Sequence, residues 1–208
     1  MTRRSHSSSR WLREHFSDPF VRKAQAEGWR SRAVFKLEEA DKKERLLRRG
    51  NIVLDLGAAP GAWSQYARGK VGPTGKVIAS DILPMDGLAG VEFVQGDFRD
   101  EQVCARLLGL TGLSAVDVLL SDMAPSLSGM DVIDQPRAMY LSELALDMAG
   151  RVLKPGGSAL IKVFQGSGFQ ELVAAARRQF KTVRLVKPTA SRARSAEIYL
   201  LASGLRLV

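Results

Sequence analysis

The stretch that most constrains the fold of this chain is residues 51–65, NIVLDLGAAPGAWSQ. A short apolar run ends at Asp55, a loop with two glycines and a proline follows, and a segment with helical spacing begins near Trp63. This order predicts a strand, a tight loop and a helix, which form the first unit of a nucleotide-type α/β fold. Glycines let the backbone approach a ligand where a Cβ would clash, and the helix that follows offers free N–H groups.

The loop sequence also indicates which kind of ligand to expect. A dinucleotide-binding loop carries the pattern GxGxxG, which seats a pyrophosphate at the helix N-terminus. Here the loop reads GAAPGAW, with a proline in the turn and a tryptophan just after it. Because no diphosphate cradle is visible, the pattern favours a nucleoside with a small charged tail, and S-adenosylmethionine fits that description.

Length and composition favour a single globular domain. A chain of 208 residues with 45% apolar side chains can bury one α/β core. No run approaches the roughly 20 apolar residues of a membrane span, and the N-terminus lacks the apolar core of a signal peptide, so we expect a cytoplasmic protein. Cys104 is the only cysteine, which excludes an intramolecular disulfide and a cysteine-rich zinc site, and we expect no bound metal.

The net charge of +9 is distributed unevenly along the chain. Residues 1–50 contain 14 lysines and arginines and 7 aspartates and glutamates, residues 51–176 contain 9 and 14, and residues 177–208 contain 8 and 1. Two basic ends around an acidic middle predict a polyanionic partner, namely a nucleic acid. An anionic membrane surface is the competing interpretation, but no strongly amphipathic terminal helix supports it.

We expect the chain to divide into an arm and one domain. Residues 1–10 are polar, basic and rich in serine, which is typical of a flexible arm. Residues 11–208 are predicted to form a single methyltransferase-type domain, with a helical, RNA-facing extension at 11–50 and a cofactor-binding core at 51–208. No long apolar stripe demands a second subunit, so we expect a monomer.

The extension contains one segment with clear helical spacing, residues 31–40. Ser31 is expected to cap this helix, and Val34 and Leu37 are expected to face the core. The polar run from Asp41 to Arg49 is expected to face water.

Near-continuous apolar runs predict the strands of the core. Because helical segments separate these runs, they imply a parallel sheet covered on both faces. The last two runs have no helix between them, which predicts an antiparallel hairpin. The predicted fold class is therefore α/β, with a seven-stranded, mostly parallel sheet, one antiparallel strand and helices on both faces, the Rossmann-like architecture of class I S-adenosylmethionine-dependent methyltransferases. After the first strand, the predicted strands span 76–82, 91–98, 116–122, 158–164, 182–186 and 197–201.

Four carboxylates, Asp55, Asp81, Asp97 and Asp122, lie at or near predicted strand ends, where open α/β sheets bind their ligands. Any one of them alone would be expected to cap the next helix, but four together favour a ligand site. Asp81 follows Gly57 by 24 residues and is predicted to accept hydrogen bonds from both ribose hydroxyls. Asp97 is expected to reach the adenine amine, and Asp122 to lie near the methionine amino group.

The residues after the fourth strand, SDMAP, bear on the chemistry. Amino-methylating enzymes often have an NPPY-type sequence there, and this chain has none. A ribose hydroxyl is another acceptor, and it needs a nearby base such as a lysine held by carboxylates. Lys162, in the apolar run ALIKVF, is the candidate base, and its candidate partners are Lys36, Asp122 and Glu197. The spacing around Lys36 alone instead favours a surface lysine with a partly buried stem.

Ten segments, spread in order over nearly the whole chain, carry a family resemblance. They are SSSRWLREHFSDPF, RSRAVFKL, LDLGAAPGAWSQ, SDILPM, QGDFRD, SDMAPSLSG, PRAMYL, LKPGG, KVFQG and KPTASRARSAEIY. In these segments the chain closely resembles the RrmJ/FtsJ family of ribosomal RNA 2'-O-ribose methyltransferases. The resemblance implies S-adenosyl-L-methionine as the methyl donor and a uridine 2'-hydroxyl in 23S ribosomal RNA, within the assembled large (50S) subunit, as the acceptor.

The resemblance also implies roles for individual residues. The charged tetrad of the family falls on Lys36, Asp122, Lys162 and Glu197, with Lys162 as the proton acceptor, which replaces the surface interpretation of Lys36. The residues expected to bind the cofactor are Gly57, Pro60, Gly61, Trp63, Asp81, Asp97 and Asp122.

Three arginines, Arg32, Arg192 and Arg194, are predicted to contact RNA phosphates, with ordinary solvated surface charge as the alternative for each. Tyr199 is interpreted as a packing residue and not as a base-stacking platform. Two other functions stay open. One is the same chemistry on transfer RNA, and the other is a non-catalytic ribosome assembly factor that binds ribosomal RNA with a retired methyltransferase fold.

Overall fold

The computed structural model describes residues 18–113, 115–126, 128–191 and 195–206. The predicted arm at 1–10 lies outside the described residues, so the division into arm, extension and core stays a prediction. Within the described ranges, no helix combines the length and the apolar character needed to cross a bilayer.

A seven-stranded sheet forms the centre of the described chain. The strands are β1 (Ile52–Leu56), β2 (Lys76–Asp81), β3 (Val91–Gln95), β4 (Val116–Ser121), β5 (Leu153–Phe164), β6 (Phe180–Val186) and β7 (Glu197–Leu205). Their order is β3-β2-β1-β4-β5-β7-β6, and β7 runs antiparallel to both of its neighbours while the other pairs are parallel. The predicted fold class, with its terminal antiparallel hairpin, is confirmed.

Helices cover both faces of this sheet. Those in the described ranges are α1 (Pro19–Ala26), α2 (Val34–Glu44), α3 (Ala62–Val71), α4 (Glu101–Thr111), α5 (Asp131–Val152) and α6 (Phe169–Gln179). The first three pack on one face around Leu120 and Leu160, and the last three pack on the other face around Leu119 and Ile161. Alternate residues of a strand point to opposite faces, so β4 and β5 contribute to both cores.

Local sequence explains several element boundaries. Asp18 and Asp100 cap α1 and α4, because their carboxylates accept hydrogen bonds from backbone N–H groups in the first turn. Gly112 ends α4 with φ of 73°, a conformation that favours glycine. β5 begins at Leu153 and not at the predicted residue 158, since Leu153 already pairs with Val116 across a register shift.

The helical extension differs from its prediction in two places. The expected cap at Ser31 is wrong, because α2 begins only at Val34, after a turn in which the Ser31 carbonyl accepts from the Val34 N–H. Asp41, expected to face water, is buried. Its carboxylate accepts hydrogen bonds from the Leu47 N–H at 2.8 Å and from the Tyr66 hydroxyl at 3.0 Å. These contacts join the extension to α3 of the core.

Candidate active site

A cleft of about 320 Å³ opens at the carboxyl ends of β1, β2 and β4. Asp81, Asp97 and Asp122 line it, as the sequence predicted for a ligand site at this edge of the sheet. Asp55 does not take part, because its carboxyl group is fully buried in β1, where the Ser64 hydroxyl donates to Oδ2 at 2.6 Å. Three of the four carboxylates therefore face the cleft.

Two of these carboxylates are held by neighbouring groups. Asp81 Oδ2 accepts from the Ala59 N–H at 2.8 Å, and Oδ1 accepts from the Leu83 N–H at 2.9 Å. Asp97 accepts from Arg99 Nε at 2.9 Å to each oxygen, and these hydrogen bonds hold the pKa of Asp97 below its ordinary value. Both carboxylates are fixed in orientation by the protein itself.

The glycine-containing loop contributes few side chains to the cleft wall. Gly57 lines it, but a Cβ at this position would lie 2.6 Å from the Met123 side chain, so its own packing also requires glycine there. The indole of Trp63 is buried and donates to the Ala33 carbonyl at 2.7 Å. The described residues that form the cleft wall do not include three residues that were predicted to bind the cofactor, Pro60, Gly61 and Trp63.

The four residues of the predicted tetrad come from four separate parts of the chain and meet on the face of the sheet that α2 and α3 cover. Asp122 follows β4 and Lys162 lies on β5, each two residues beyond a leucine of the core beneath α2 and α3. Glu197 begins β7, which pairs with β5, and Lys36 reaches the group from α2. Residues far apart in the sequence are thus brought to one point by strand alternation and sheet order.

Two lysines and two carboxylates alternate in this cluster. Lys162 Nζ lies 2.8 Å from Asp122 Oδ1 and 3.7 Å from Glu197 Oε2, and it donates to the Asp122 carbonyl at 2.8 Å. Lys36 Nζ lies 2.7 Å from Glu197 Oε1 and 3.9 Å from Asp122 Oδ1. The four side chains are 7 to 17% exposed. Lys36 is therefore part of a buried charge network and not a surface lysine.

The cluster changes the proton affinity of its members. Burial alone would raise the pKa of Asp122, but the charges of Lys162 and Lys36 outweigh it and hold that pKa below its ordinary value, so the carboxylate stays ionised. Burial, together with the negative charges of Asp122 and Glu197, raises the pKa of Tyr199 well above its usual range. Tyr199 therefore stays protonated, and its hydroxyl donates a hydrogen bond to Asp122.

A second pocket, of about 370 Å³, adjoins the cluster on its open side. Lys36, Lys162 and Glu197 line this pocket, and Asp122 lines the first cleft. Ala124 belongs to the walls of both. The charged cluster therefore stands at the junction of two pockets, where groups bound in each could meet.

One known protein family matches most of this chain. The family of FtsJ-like methyltransferases matches residues 29–205, which include the whole sheet and all four charged residues. The chain belongs to this family.

Individual relatives agree with the family match. Two proteins called ribosomal RNA large subunit methyltransferase E, from Legionella pneumophila strains Corby and Lens, are 58% and 57% identical to the chain over 204 residues. Each alignment covers 98% of this chain and 99% of the relative. A crystal structure described as a ribosomal RNA methyltransferase from Plasmodium falciparum superposes with a TM-score of 0.73 at 28% identity, covering 85% of this chain and 98% of that one.

FtsJ-like methyltransferases use S-adenosylmethionine, and the first cleft fits this cofactor. Its three carboxylates, Asp81, Asp97 and Asp122, can accept hydrogen bonds from hydroxyl and amino groups and suit a cationic ligand. Ile82 and Leu83 present apolar surface on the same wall, with 63% and 58% of each residue exposed, which suits a flat base. The individual contacts of the cofactor with these residues stay predictions.

Of the three arginines predicted to contact RNA, one lies within the described residues. Arg32 lines the second pocket, and its guanidinium donates to the Asp18 carboxylate and to the Ala190 carbonyl. Arg192 and Arg194 lie outside the described residues. Phosphate contacts by all three stay predictions.

Two contacts with the charged cluster were not predicted from the sequence. The packing interpretation of Tyr199 is confirmed, with its ring centroid 5.7 Å from that of Trp63, but the hydrogen bond from its hydroxyl to Asp122 was not predicted. Ser191 donates to Glu197 Oε1 at 2.9 Å. The available signal for Tyr199 was its spacing of two from Glu197, which places both on one face of a strand.

Proposed function

We propose that this protein transfers the methyl group of S-adenosylmethionine to the 2'-hydroxyl of a uridine ribose in 23S ribosomal RNA of the large subunit, in the cytoplasm. The observation that carries the proposal is the cluster of Lys36, Asp122, Lys162 and Glu197 at the junction of the two pockets. The names of the Legionella relatives, which align over almost their entire length, support the class of RNA.

Lys162 is the proton acceptor in this proposal. When bound, the cofactor supplies a methyl carbon activated by its sulfonium charge. Nζ of Lys162 accepts the hydroxyl proton in the transfer step, and the ammonium that results lies 2.8 Å from Asp122 and 3.7 Å from Glu197. The two carboxylates stabilise this charge as it develops. A positioned general base typically contributes about 100-fold to 10,000-fold in rate.

The remaining members of the cluster orient the base. Asp122 is ionised and holds Lys162 with both a carboxylate oxygen and its backbone carbonyl. Glu197 links the two lysines, and Lys36 balances its charge at 2.7 Å. Because these contacts exist before an acceptor enters, the site needs little reorganisation during the reaction.

The second pocket has the composition expected for a nucleotide acceptor. Three basic side chains, Arg32, Lys36 and Lys162, outnumber the one carboxylate in its lining, and this excess of positive charge suits a phosphodiester chain. Pro125 and Phe164 add apolar surface against which a base can pack. This combination supports RNA as the substrate class, with the ribose hydroxyl reaching the cluster in the proposed reaction.

The test is transfer of a tritiated methyl group from S-adenosylmethionine to three acceptors in parallel. These are large ribosomal subunits that lack the modification, protein-free ribosomal RNA and bulk transfer RNA. We expect label in the large-subunit material, recovered in alkali-resistant dinucleotides because a methylated 2'-oxygen cannot assist cleavage of the chain.

The other outcomes of this experiment each decide something. Label in transfer RNA alone would keep the chemistry and replace the substrate. No label in any acceptor, with the cofactor bound in calorimetry, would contradict catalysis and favour a ribosome assembly factor.

The hydroxyl of Tyr199 provides a prediction about the cluster. Tyr199→Phe should lower single-turnover methyl transfer about 10-fold, because Asp122 loses a hydrogen bond of the kind that contributes about 1.5–3 kcal/mol and holds Lys162 less firmly. The matched control is Tyr66→Phe, which removes a buried hydroxyl from Asp41 elsewhere on the same face. It should leave transfer unchanged, and equal losses in both variants would contradict a specific role for Tyr199.

A further inference from the structure

Arg30 connects two loops that border the cofactor cleft. Its Nη1 donates to the Pro60 carbonyl at 3.1 Å and to the Asp86 carbonyl at 2.7 Å, and its Nη2 donates to the Gly87 carbonyl at 2.7 Å. Pro60 belongs to the loop after β1, whereas Asp86 and Gly87 belong to the loop after β2. A Cβ on Gly61 would lie 2.8 Å from Arg30 Nη1, so the guanidinium rests directly on the first loop.

The later part of the loop after β2 depends on this side chain for its position. Its first residues, Ile82 and Leu83, line the cleft with exposed apolar side chains. Residues 84–87 lie in neither a helix nor a strand. Within the described ranges, the hydrogen bonds that join residues 84–87 to other parts of the chain are the two from Arg30. Without them, residues 84–87 would lose their hydrogen bonds to other parts of the chain, whereas Leu83 would stay held by Asp81.

Arg30 is itself held from the other side. Its backbone N–H donates to Gln65 Oε1 at 3.1 Å, and Gln65 Nε2 donates to the Gly28 carbonyl at 3.0 Å. Gln65 belongs to α3, the helix that follows the loop after β1. The segment around Arg30 is thus anchored on one of the cofactor elements while its guanidinium reaches the other.

We propose that Arg30 is a positioning residue for the binding of S-adenosylmethionine. From the helical extension, its side chain fixes the loop after β1 against the loop after β2. A phosphate contact with RNA is the competing role for an arginine in this extension. Three of the five N–H groups of the guanidinium already donate to backbone carbonyls, which a role in phosphate binding does not require. The proposal concerns cofactor binding and holds whichever RNA is the acceptor.

The test compares three variants of the full chain. Arg30→Ala removes both charge and contacts, and Arg30→Lys keeps the charge but cannot span three carbonyls. Arg22→Ala removes the same charge from the exposed surface of α1, where the arginine side chain has no hydrogen bond or ion pair within the described chain. The backbone order parameters of residues 85–90 are measured by NMR relaxation without cofactor. The Kd for S-adenosylmethionine is measured by calorimetry. The KM for S-adenosylmethionine and kcat are measured in a methyl-transfer assay.

Both Arg30 variants should lower the backbone order parameters of residues 85–90 to below about 0.6 and raise the Kd and KM for S-adenosylmethionine about 10-fold, with kcat lowered less than about threefold. Arg22→Ala should leave the order parameters, Kd and KM as in the wild type. Wild-type order parameters and Kd in Arg30→Lys would overturn the proposal, because charge alone would then be sufficient. Unchanged order parameters in Arg30→Ala would overturn it as well. The order parameters and Kd need no RNA, so failure of the proposed RNA substrate would not affect them.

Discussion

Replacing Lys162 with arginine should reduce single-turnover methyl transfer about 1,000-fold while the Kd for S-adenosylmethionine stays within about threefold of the wild type. Arginine keeps a positive charge between Asp122 and Glu197, which now lie 2.8 and 3.7 Å from the lysine amine. A guanidinium, however, cannot lose its proton at any pH at which the protein is folded, so it cannot accept one from a hydroxyl. The variant therefore separates the proton-accepting role of Lys162 from its role as a cation.

Two further lysine variants complete this experiment. Lys162→Met fills the same space without charge and should be as inactive as the arginine variant, with the cofactor Kd and near-ultraviolet circular dichroism reporting on the fold. Lys154→Met changes a half-exposed lysine on the same strand, where its partner is Asp117 at the opposite end of the sheet from the cleft, and should keep wild-type transfer. Substantial activity in Lys162→Arg would show that the cluster acts only electrostatically.

The fold could be predicted from the sequence because its signals are local. The central parallel strands β1, β2 and β4 are short, mainly apolar runs bounded by turn residues and buried on both faces, which is the pattern expected of a parallel sheet. The missing helix between the last two runs was enough to predict the antiparallel hairpin. The start of β5 could not be predicted, since the pairing of Leu153 with Val116 depends on a neighbouring strand.

The candidate site was predictable only in part, because its side chains meet through long-range packing. The helical spacing around Lys36 favours a surface position, and only the arrival of β4, β5 and β7 turns this lysine into a buried ion-pair partner. Asp41 illustrates the same limit, since its burial depends on Tyr66 of another helix. Trp63 was expected at the cofactor, yet its ring packs inside the core and its role there stays a prediction.

Asp55 shows most clearly what burial adds to a sequence pattern. The pattern placed it among the cleft carboxylates, but its side chain is fully buried, and Oδ1 has no hydrogen-bond partner within the described chain. Burial, with a smaller contribution from the charges of Asp122 and Asp81, raises the pKa of Asp55 to about 7, although the hydrogen bond from Ser64 opposes this rise. Near neutral pH, this carboxyl group is therefore partly protonated in the folded protein.

This raised pKa predicts a definite dependence of stability on pH. Between about pH 4 and 7 the folded state holds a proton on Asp55 that the unfolded chain has released, because the unfolded group keeps a pKa near 3.8. The contribution of Asp55 to the free energy of unfolding is thus fully present below about pH 4 and is lost as pH rises to about 7. The slope is about 1.4 kcal/mol per pH unit.

Asp55→Asn should remove this contribution, since asparagine has nearly the same shape and no titration. Relative to the wild type, the free energy of unfolding of the variant, measured by urea denaturation, should rise by about 2 kcal/mol between pH 5 and pH 7. Taking the difference between two proteins cancels the other titrating groups, several of which have lowered pKa values and act in the opposite direction. Asp147→Asn, on the exposed side of α5, serves as the control for the change of aspartate to asparagine.

A flat difference for Asp55→Asn would mean that the carboxylate is ionised in the folded state across this range. Such a result would require that Oδ1 is solvated or bonded in solution, because an unpaired buried charge costs several kcal/mol. A steep difference would instead establish that the strand leading into the cofactor loop contains a carboxyl group that favours its neutral form. The negative charge at the cleft would then come from Asp81, Asp97 and Asp122, which line it directly.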